Sequence, residues 1–481
     1  MSERNAGAGR SVALLALVSM CGCSGEPPDE RPDILFVSID SLRPDHLGCY
    51  GYHRDTSPTL DRLAQEGARF NQAVATTSWT LPSHAAMFTG LYDSAHGLVD
   101  NGLRLSDDHV TLAELLRESG YRTAGFFGGP YLHPTFGLAQ GFEHYQSCMT
   151  TVADDVTDDA IRSESRADIG ASHHDVNGPR TVAEFERWLT GVPDGPLFAF
   201  VHLWDVHYDY IPPPEYAALF DADYDGDLSV RGFMHNPAIR REMPARDLEH
   251  VMALYDAEIR FTDDTLAAIL AALEARDRLD DTLIVVTSDH GEEFFEHGYK
   301  GHARTLFDEV LRVPLIVRWP RRVAAGTVVD TQVRTIDLMP TLLTVAGVTS
   351  RPAMQGRDIT PLLFGGRLPE ETALAELLLD GQSMRASRTP RYKVVVPRAG
   401  LAPVGFDLVR DPAELEGLAR HSPELFAGMR ELTRQVEAAE AFRERIAART
   451  HDLELDEETL RRLEALGYVD GGSTPGPDGE R

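Results

Sequence analysis

Two short apolar runs, each ending in a carboxylate, constrain the fold of this chain more than anything else in it. The first is Asp33-Ile34-Leu35-Phe36-Val37-Ser38-Ile39-Asp40; the second is Leu283-Ile284-Val285-Val286-Thr287-Ser288-Asp289-His290-Gly291-Glu292. Short runs that are apolar on both phases and partly β-branched read as strands buried on both faces, in a parallel sheet covered by helices. Each delivers its terminal acid to the C-terminal edge of the sheet, where ligands bind in open α/β folds. An Asp at such a place often only caps the next helix. Two of them, with His290 and a hydroxyl, make a mixed oxygen and nitrogen set for one divalent cation.

The hydroxyl comes from Thr77-Ser78-Trp79-Thr80-Leu81-Pro82-Ser83-His84-Ala85-Ala86-Met87-Phe88-Thr89-Gly90. This stretch reads as a helix with Thr80 as N-cap, Pro82 in the first turn and Gly90 as its stop. A hydroxyl at a helix mouth faces unpaired N–H groups and the positive end of the macrodipole. That setting suits an anion and helps an attacking oxygen lose its proton.

Together these phrases resemble the sulfatase family, within the alkaline phosphatase superfamily. The likeness runs from residue 33 to about 420 and includes Asp40-Ser41-Leu42-Arg43-Pro44-Asp45-His46-Leu47-Gly48, Ser288-Asp289-His290-Gly291-Glu292, Arg312-Val313-Pro314 and Phe406-Asp407-Leu408-Val409-Arg410-Asp411-Pro412. It implies an alkaline-phosphatase-like α/β fold: a large, mixed, mostly parallel sheet flanked by helices, with a small antiparallel C-terminal sheet. It implies one divalent metal ion (calcium, manganese or zinc) held by Asp40, Thr80, Asp289 and His290, with Thr80 where the family keeps its nucleophile.

Three departures from the family pattern bear on the chemistry. Typical sulfatases carry Cys or Ser at the Thr80 position and oxidise it to formylglycine, whose aldehyde hydrate attacks sulfur. Threonine is a secondary alcohol and the same oxidation gives only a ketone, so no formylglycine is expected and Thr80 must act as an alkoxide. The family arginine four residues on is His84, which can reach the anion or pack on the helix. The second carboxylate of the first strand is Ser41. Threonine in this slot resembles the phosphoryl-transfer branches of the superfamily, so transfer from a phosphate mono- or diester is favoured. A true sulfuric ester hydrolase, or a phosphoethanolamine- or phosphoglycerol-type transferase, is the alternative. A non-catalytic binding lipoprotein is the reading least in keeping with an intact Asp40, Thr80, Asp289 and His290.

Other candidates lie in connecting segments. His207, in Val201-His202-Leu203-Trp204-Asp205-Val206-His207-Tyr208, falls where the family places an imidazole on the ester oxygens. Lys300 and His302 both qualify as the group that contacts the anion or protonates the leaving group, with His302 preferred. Asp205, His207 and His302 are a conceivable second metal set, but a single metal is expected because the compact Asp-x-x-x-His pattern is missing.

Arg4 and Arg10 precede an apolar stretch, residues 12–20, too short to span a bilayer and suited to a signal h-region. It ends in Met20-Cys21-Gly22-Cys23-Ser24, which resembles a bacterial lipoprotein signal with Cys23 the lipidated residue. The expected organisation is a signal peptide at 1–23, a tether at 24–32, the catalytic domain at 33–350, a C-terminal subdomain at 351–450, and a helix with a disordered tail at 451–481. Export to the cell envelope follows, with the membrane engaged only through the lipid.

The net charge of −30, from 46 basic and 76 acidic residues, argues against a nucleic-acid partner. An anionic small-molecule, glycan or lipid-head-group ester is the expected substrate, drawn in locally by the metal. Between the motifs, helices are expected at 112–119, 182–189 and 252–273, strands at 121–127, 383–397 and 405–409, and polar insertions at 154–180 and 221–246.

Overall fold

The computed structural model describes residues 31–149, 176–379, 381, 383–397, 401–446 and 451–452. The signal segment with Cys23, most of the 154–180 insertion and nearly all of the expected helix and tail at 451–481 lie outside the described residues. In chain order the main sheet is built from β1 (Asp33–Ile39), β2 (Ala68–Phe70), β3 (Arg122–Phe127), β4 (His144–Ser147), β5 (Leu197–Leu203), β6 (Thr282–Thr287), β7 (Leu315–Arg318) and β8 (Thr327–Val329). Its spatial order is β8-β2-β7-β6-β1-β5-β3-β4. Only β7 runs against its neighbours, so the sheet is mixed but mostly parallel, and β1 sits in its centre.

β1 is buried at every residue, and its two phases serve two cores. Ile34 and Phe36 pack with Phe198, Phe200, Leu283 and Val285 beneath helix α1 (Thr80–Thr89). Leu35, Val37 and Ile39 face the other way, toward Phe185 and Leu189 of α2 (Gly178–Gly191) and Tyr255, Ile259 and Leu266 of α3 (Ala245–Glu274). This two-sided burial is why the strand reads as a continuous apolar run and not as an alternation. The in-register neighbours Ser38, His202 and Thr287 continue the first phase, on the α1 side. Side chains alternate along a strand, so Asp40 emerges on that side as well.

The C-terminal sheet has strands β9 (Ala373–Leu377), β10 (Met384–Arg388), β11 (Tyr392–Val396) and β12 (Val404–Asp407), all antiparallel and in sequence order. Helix α4 (Pro423–Ile446) follows it. The expected helices at 112–119, 182–189 and 252–273 are found, the latter two extended to Gly178–Gly191 and Ala245–Glu274. Strand β9 was not anticipated. It is five residues long and carries a glutamate, Glu376, whose carboxylate is buried against the Ser94 backbone N–H and Arg385.

Candidate active site

Thr80 is the first residue of α1 and not its cap. Trp79 is the N-cap, extended in backbone, and no side chain caps the helix. The expectation of Thr80 as N-cap is corrected for a physical reason: once inside the first turn, its hydroxyl turns away from the helix N–H groups and toward the sheet edge. There its Oγ1 lies 3.4 Å from Asp40 Oδ2 and 3.3 Å from His290 Nε2. Ser83 Oγ donates to the Asp289 carbonyl at 2.7 Å, pinning the helix to the end of β6. All ten residues of α1 are buried.

The four residues named as metal ligands come together in one cluster. Asp289 accepts the His290 N–H on Oδ1 at 2.9 Å and the Ser41 N–H at 3.3 Å; its Oδ2 is buried and accepts no hydrogen bond. His290 donates Nδ1–H to the Gly291 carbonyl at 2.9 Å, which fixes the tautomer with its Nε2 lone pair toward Asp289 Oδ2, 3.4 Å away. Asp40 takes the Ser41 hydroxyl on Oδ1 at 2.7 Å and presents Oδ2 to Thr80. Ser41 holds a left-handed backbone, φ 54°, uncommon for a residue with a Cβ, and that turn aims its N–H at Asp289. Asp40, Asp289 and His290 offer ligand atoms within 4.8 Å of one another.

Two buried carboxylates this close, one with an unsatisfied oxygen, are electrostatically incomplete. Burial raises the pKa of Asp40, partly offset by His290 and His302. For His290, burial opposes the charge, but Asp289 and Asp40 outweigh it and raise its pKa. The pocket thus demands positive charge, and its oxygen and imidazole donors fit a divalent ion.

His302 joins this cluster, its ring centroid 4.3 Å from that of His290. Its Nδ1 is 3.0 Å from Glu292 Oε1, while Tyr210 O–H donates to Glu292 Oε2 at 2.7 Å. Burial pushes Glu292 up to about 8 and His302 down to about 3. A Glu292 that holds a proton can donate it to Nδ1, which leaves Nε2 as the N–H. His207 lies alongside, its ring 4.9 Å from that of His302 and stacked on Trp204 at 3.8 Å. The His207 Nδ1–H donates to the Tyr208 carbonyl at 2.7 Å.

Two expected residues are placed differently. Lys300 Nζ donates to the carbonyls of Ile239 at 2.7 Å and Asn236 at 3.2 Å, both in the 221–246 insertion. Its charge is spent on that segment and not on the Thr80 cluster. His84 is buried under α1 with both ring nitrogens engaged: Nδ1–H donates to the Thr80 carbonyl at 2.8 Å, and Nε2 accepts from the Ser38 hydroxyl at 3.0 Å. Burial lowers its pKa to about 3, so it stays neutral. The 221–246 insertion reaches the site through Phe233, which stacks on Tyr208 (5.8 Å), itself stacked on His302 (5.1 Å). Asp205 accepts the Asn177 N–H at 2.7 Å, and among the described residues the close metal-ligating groups do not include it.

The residue missed from the sequence is His202. It is buried, its Nε2 lies 3.2 Å from Asp40 Oδ2, and a ligand atom of it groups with His84 and Asp289. The signal was present: His202 is the one polar side chain in the seven-residue apolar strand Leu197–Leu203, in phase with Phe198 and Phe200.

A parallel sheet whose C-terminal edge gathers two carboxylates, imidazoles and a helix-borne hydroxyl defines a metal-dependent hydrolase of charged esters, with an alkaline-phosphatase-like fold. A sulfatase family model matches residues 32–348, and a second, described as N-sulphoglucosamine sulphohydrolase, C-terminal, matches 295–441. The chain belongs to the sulfatase family. It is 25% identical to an N-acetylglucosamine-6-O-sulfatase of Bacteroides thetaiotaomicron over 74% of this chain and 76% of that one. It is 27% identical to a multifunctional alkaline phosphatase superfamily protein of Trinickia caryophylli, over 81% of this chain and 91% of that one. The crystal structure of a phosphonate monoester hydrolase of Agrobacterium radiobacter superposes with a TM-score of 0.68 at 25% identity, covering 89% of this chain and 99% of that one.

Proposed function

We propose that this hydrolase cleaves phosphate mono- or diesters through Thr80, without formylglycine, on a divalent ion held by Asp40, Thr80, Asp289 and His290. The observation that carries the reading is the placement of a secondary alcohol between Asp40 Oδ2 and His290 Nε2, at 3.4 and 3.3 Å. The bound ion would supply Lewis acidity, of the kind that lowers the pKa of bound water from about 15.7 to about 7.

In the first displacement Thr80 Oγ1, its proton already lost to solvent, attacks phosphorus and the bond to the leaving oxygen breaks. The leaving oxygen takes the Nε2 proton of His302, while Nδ1 takes the proton that Glu292 held. Water then attacks the phosphothreonine; its proton goes to His302 Nε2, the Nδ1 proton returns to Glu292, and the Thr80 oxygen leaves as the alkoxide. His207 is assigned to the ester oxygens. His84 acts by holding the Thr80 carbonyl and hence the first turn of α1. Similarity to a phosphonate monoester hydrolase and a multifunctional superfamily protein supports phosphorus as the centre attacked.

The second reading, sulfate ester hydrolysis through the same threonine, is favoured by family membership and by the glycan sulfatases among the relatives. Initial rates on matched nitrophenyl phosphate, phosphodiester and sulfate, with the metal-loaded protein, decide between them. A preference of a hundredfold or more for either phosphorus substrate upholds the first reading; a sulfate preference overturns it. Transfer to an added alcohol, measured as product partition, separates a transferase from a hydrolase. We further assign the protein to the cell envelope, anchored through Cys23. Cys23→Ser should move it from the membrane fraction to the soluble one, and retention on membranes would remove the anchor.

A further inference from the structure

We infer that His202 is a fifth protein ligand of the divalent ion, and that it commits the site to a zinc-class transition metal and not to calcium. The inference rests on the reading that Asp40, Thr80, Asp289 and His290 hold a cation. Three observations carry it.

First, register: β5 runs beside β1 with His202 opposite Ser38, two residues before Asp40 and on the α1 side, where Thr80 stands. Second, distance: its Nε2 is 3.2 Å from Asp40 Oδ2, the carboxylate oxygen that also faces Thr80 Oγ1, and a ligand atom of His202 lies within 4.8 Å of one of Asp289. Third, cost: an imidazole with no solvent exposure, with Nδ1 unpartnered and Nε2 directed only at Asp40, interrupts a strand that is otherwise apolar. His84, its neighbour in that group, is excluded because both of its nitrogens are already hydrogen-bonded.

The donor set that results differs from an oxygen cage. Ser41 stands where the family's second carboxylate stands, and its hydroxyl donates to Asp40 Oδ1, so it brings no charge to the ion. Calcium takes six to eight oxygens. Three protein oxygens (Asp40, Asp289, Thr80) and two imidazole nitrogens (His290, His202) suit zinc or its transition-metal neighbours instead. A neutral imidazole in place of a carboxylate also leaves more net positive charge on the ion to face an anionic ester.

The test is equilibrium dialysis of the full chain against Zn2+ and, separately, Ca2+, with bound metal counted by mass spectrometry and the Co2+ form examined by visible absorption. His202→Gln keeps an N–H donor for Asp40 but is a poor ligand; His202→Ala is the second variant. Wild type should bind one Zn2+ at least a hundredfold more tightly than Ca2+. Both variants should lose at least tenfold in Zn2+ affinity, keep Ca2+ affinity within about threefold, and shift the Co2+ bands. Unchanged Zn2+ affinity and Co2+ bands would overturn the inference while leaving the metal site standing. Equal loss of both metals would reduce His202 to a structural residue. A wild type that binds no divalent ion, or Asp289→Asn that binds as wild type does, would instead sink the underlying reading of the site.

Discussion

Two buried charge clusters among the described residues make a contrast, one complete and one not. At the junction with the C-terminal sheet, Arg388 lies 2.7 Å from Asp308, and Lys393 lies 3.0 Å from Asp308 and 2.9 Å from Glu414. Each charge there has its opposite on a neighbouring segment. Burial opposes ionisation of Asp308, yet Arg388 and Lys393 hold its pKa far below the usual range. At the edge of the main sheet, by contrast, Asp40 and Asp289 face each other across imidazoles; among the described residues neither is paired with a lysine or arginine, and Asp289 Oδ2 accepts no hydrogen bond. The first cluster ties the C-terminal sheet to Asp308, in a short helix, and to Glu414, in a loop. The second carries an electrostatic deficit suited to a bound cation, and that deficit singles it out as the candidate site.

Four experiments break or sharpen this contrast. Thr80→Ala should lower turnover by about a thousandfold or more, since the nucleophile is gone, with folding and metal content nearly unchanged; full retained activity would remove Thr80 from the chemistry. Lys393→Met, in the complete cluster, strands Glu414, leaves Asp308 with Arg388 alone and should cost about 3–5 kcal/mol in denaturant unfolding, with turnover per folded molecule preserved. A selective loss of turnover there would put the junction into the active site. Chelation should destabilise wild type by about 3 kcal/mol relative to metal at a hundred times its Kd, and leave Asp289→Asn almost unmoved. Equal shifts in both proteins would place the metal elsewhere.

The smallest effect concerns pH. Burial, reinforced by Glu309, pushes Glu293 up to about 8 from an ordinary 4.5. A carboxyl raised on folding contributes its full stability below the unfolded value and loses it as pH climbs toward the folded one. Glu293→Gln should therefore gain about 1 kcal/mol or more on wild type between pH 5 and 8, and nothing at pH 4. A gain of equal size at pH 4 would assign the effect to something other than ionisation.

Much of the site was legible because strand ends and helix starts have local signatures. Asp40, Asp289 and His290 follow apolar runs, and Thr80 opens a helix that Gly90 closes in a left-handed turn, φ 67°. Lys300 and His302 illustrate the limit. Only two residues apart in sequence, they diverge in space, Lys300 to the 221–246 insertion and His302 to Glu292. A loop that turns at Gly301, φ 78°, sends neighbours to different partners, and no pattern of residue types encodes which goes where. His202 escaped notice because a lone histidine in a strand is ordinary until its lateral neighbour is known.

The sequence by itself determined the α/β class, the central strands and the secondary alcohol that stands at the candidate site, because periodicity and side-chain type are local properties. The tertiary structure alone decided which side chains share a face across β1, β5 and β6, and that Thr80 lies inside its helix instead of capping it. It also decided that His84 supports the helix turn while His202 approaches Asp40. Those outcomes depend on strand register and on which buried polar atoms find partners, and both are settled only when segments far apart in the chain are brought within hydrogen-bonding distance.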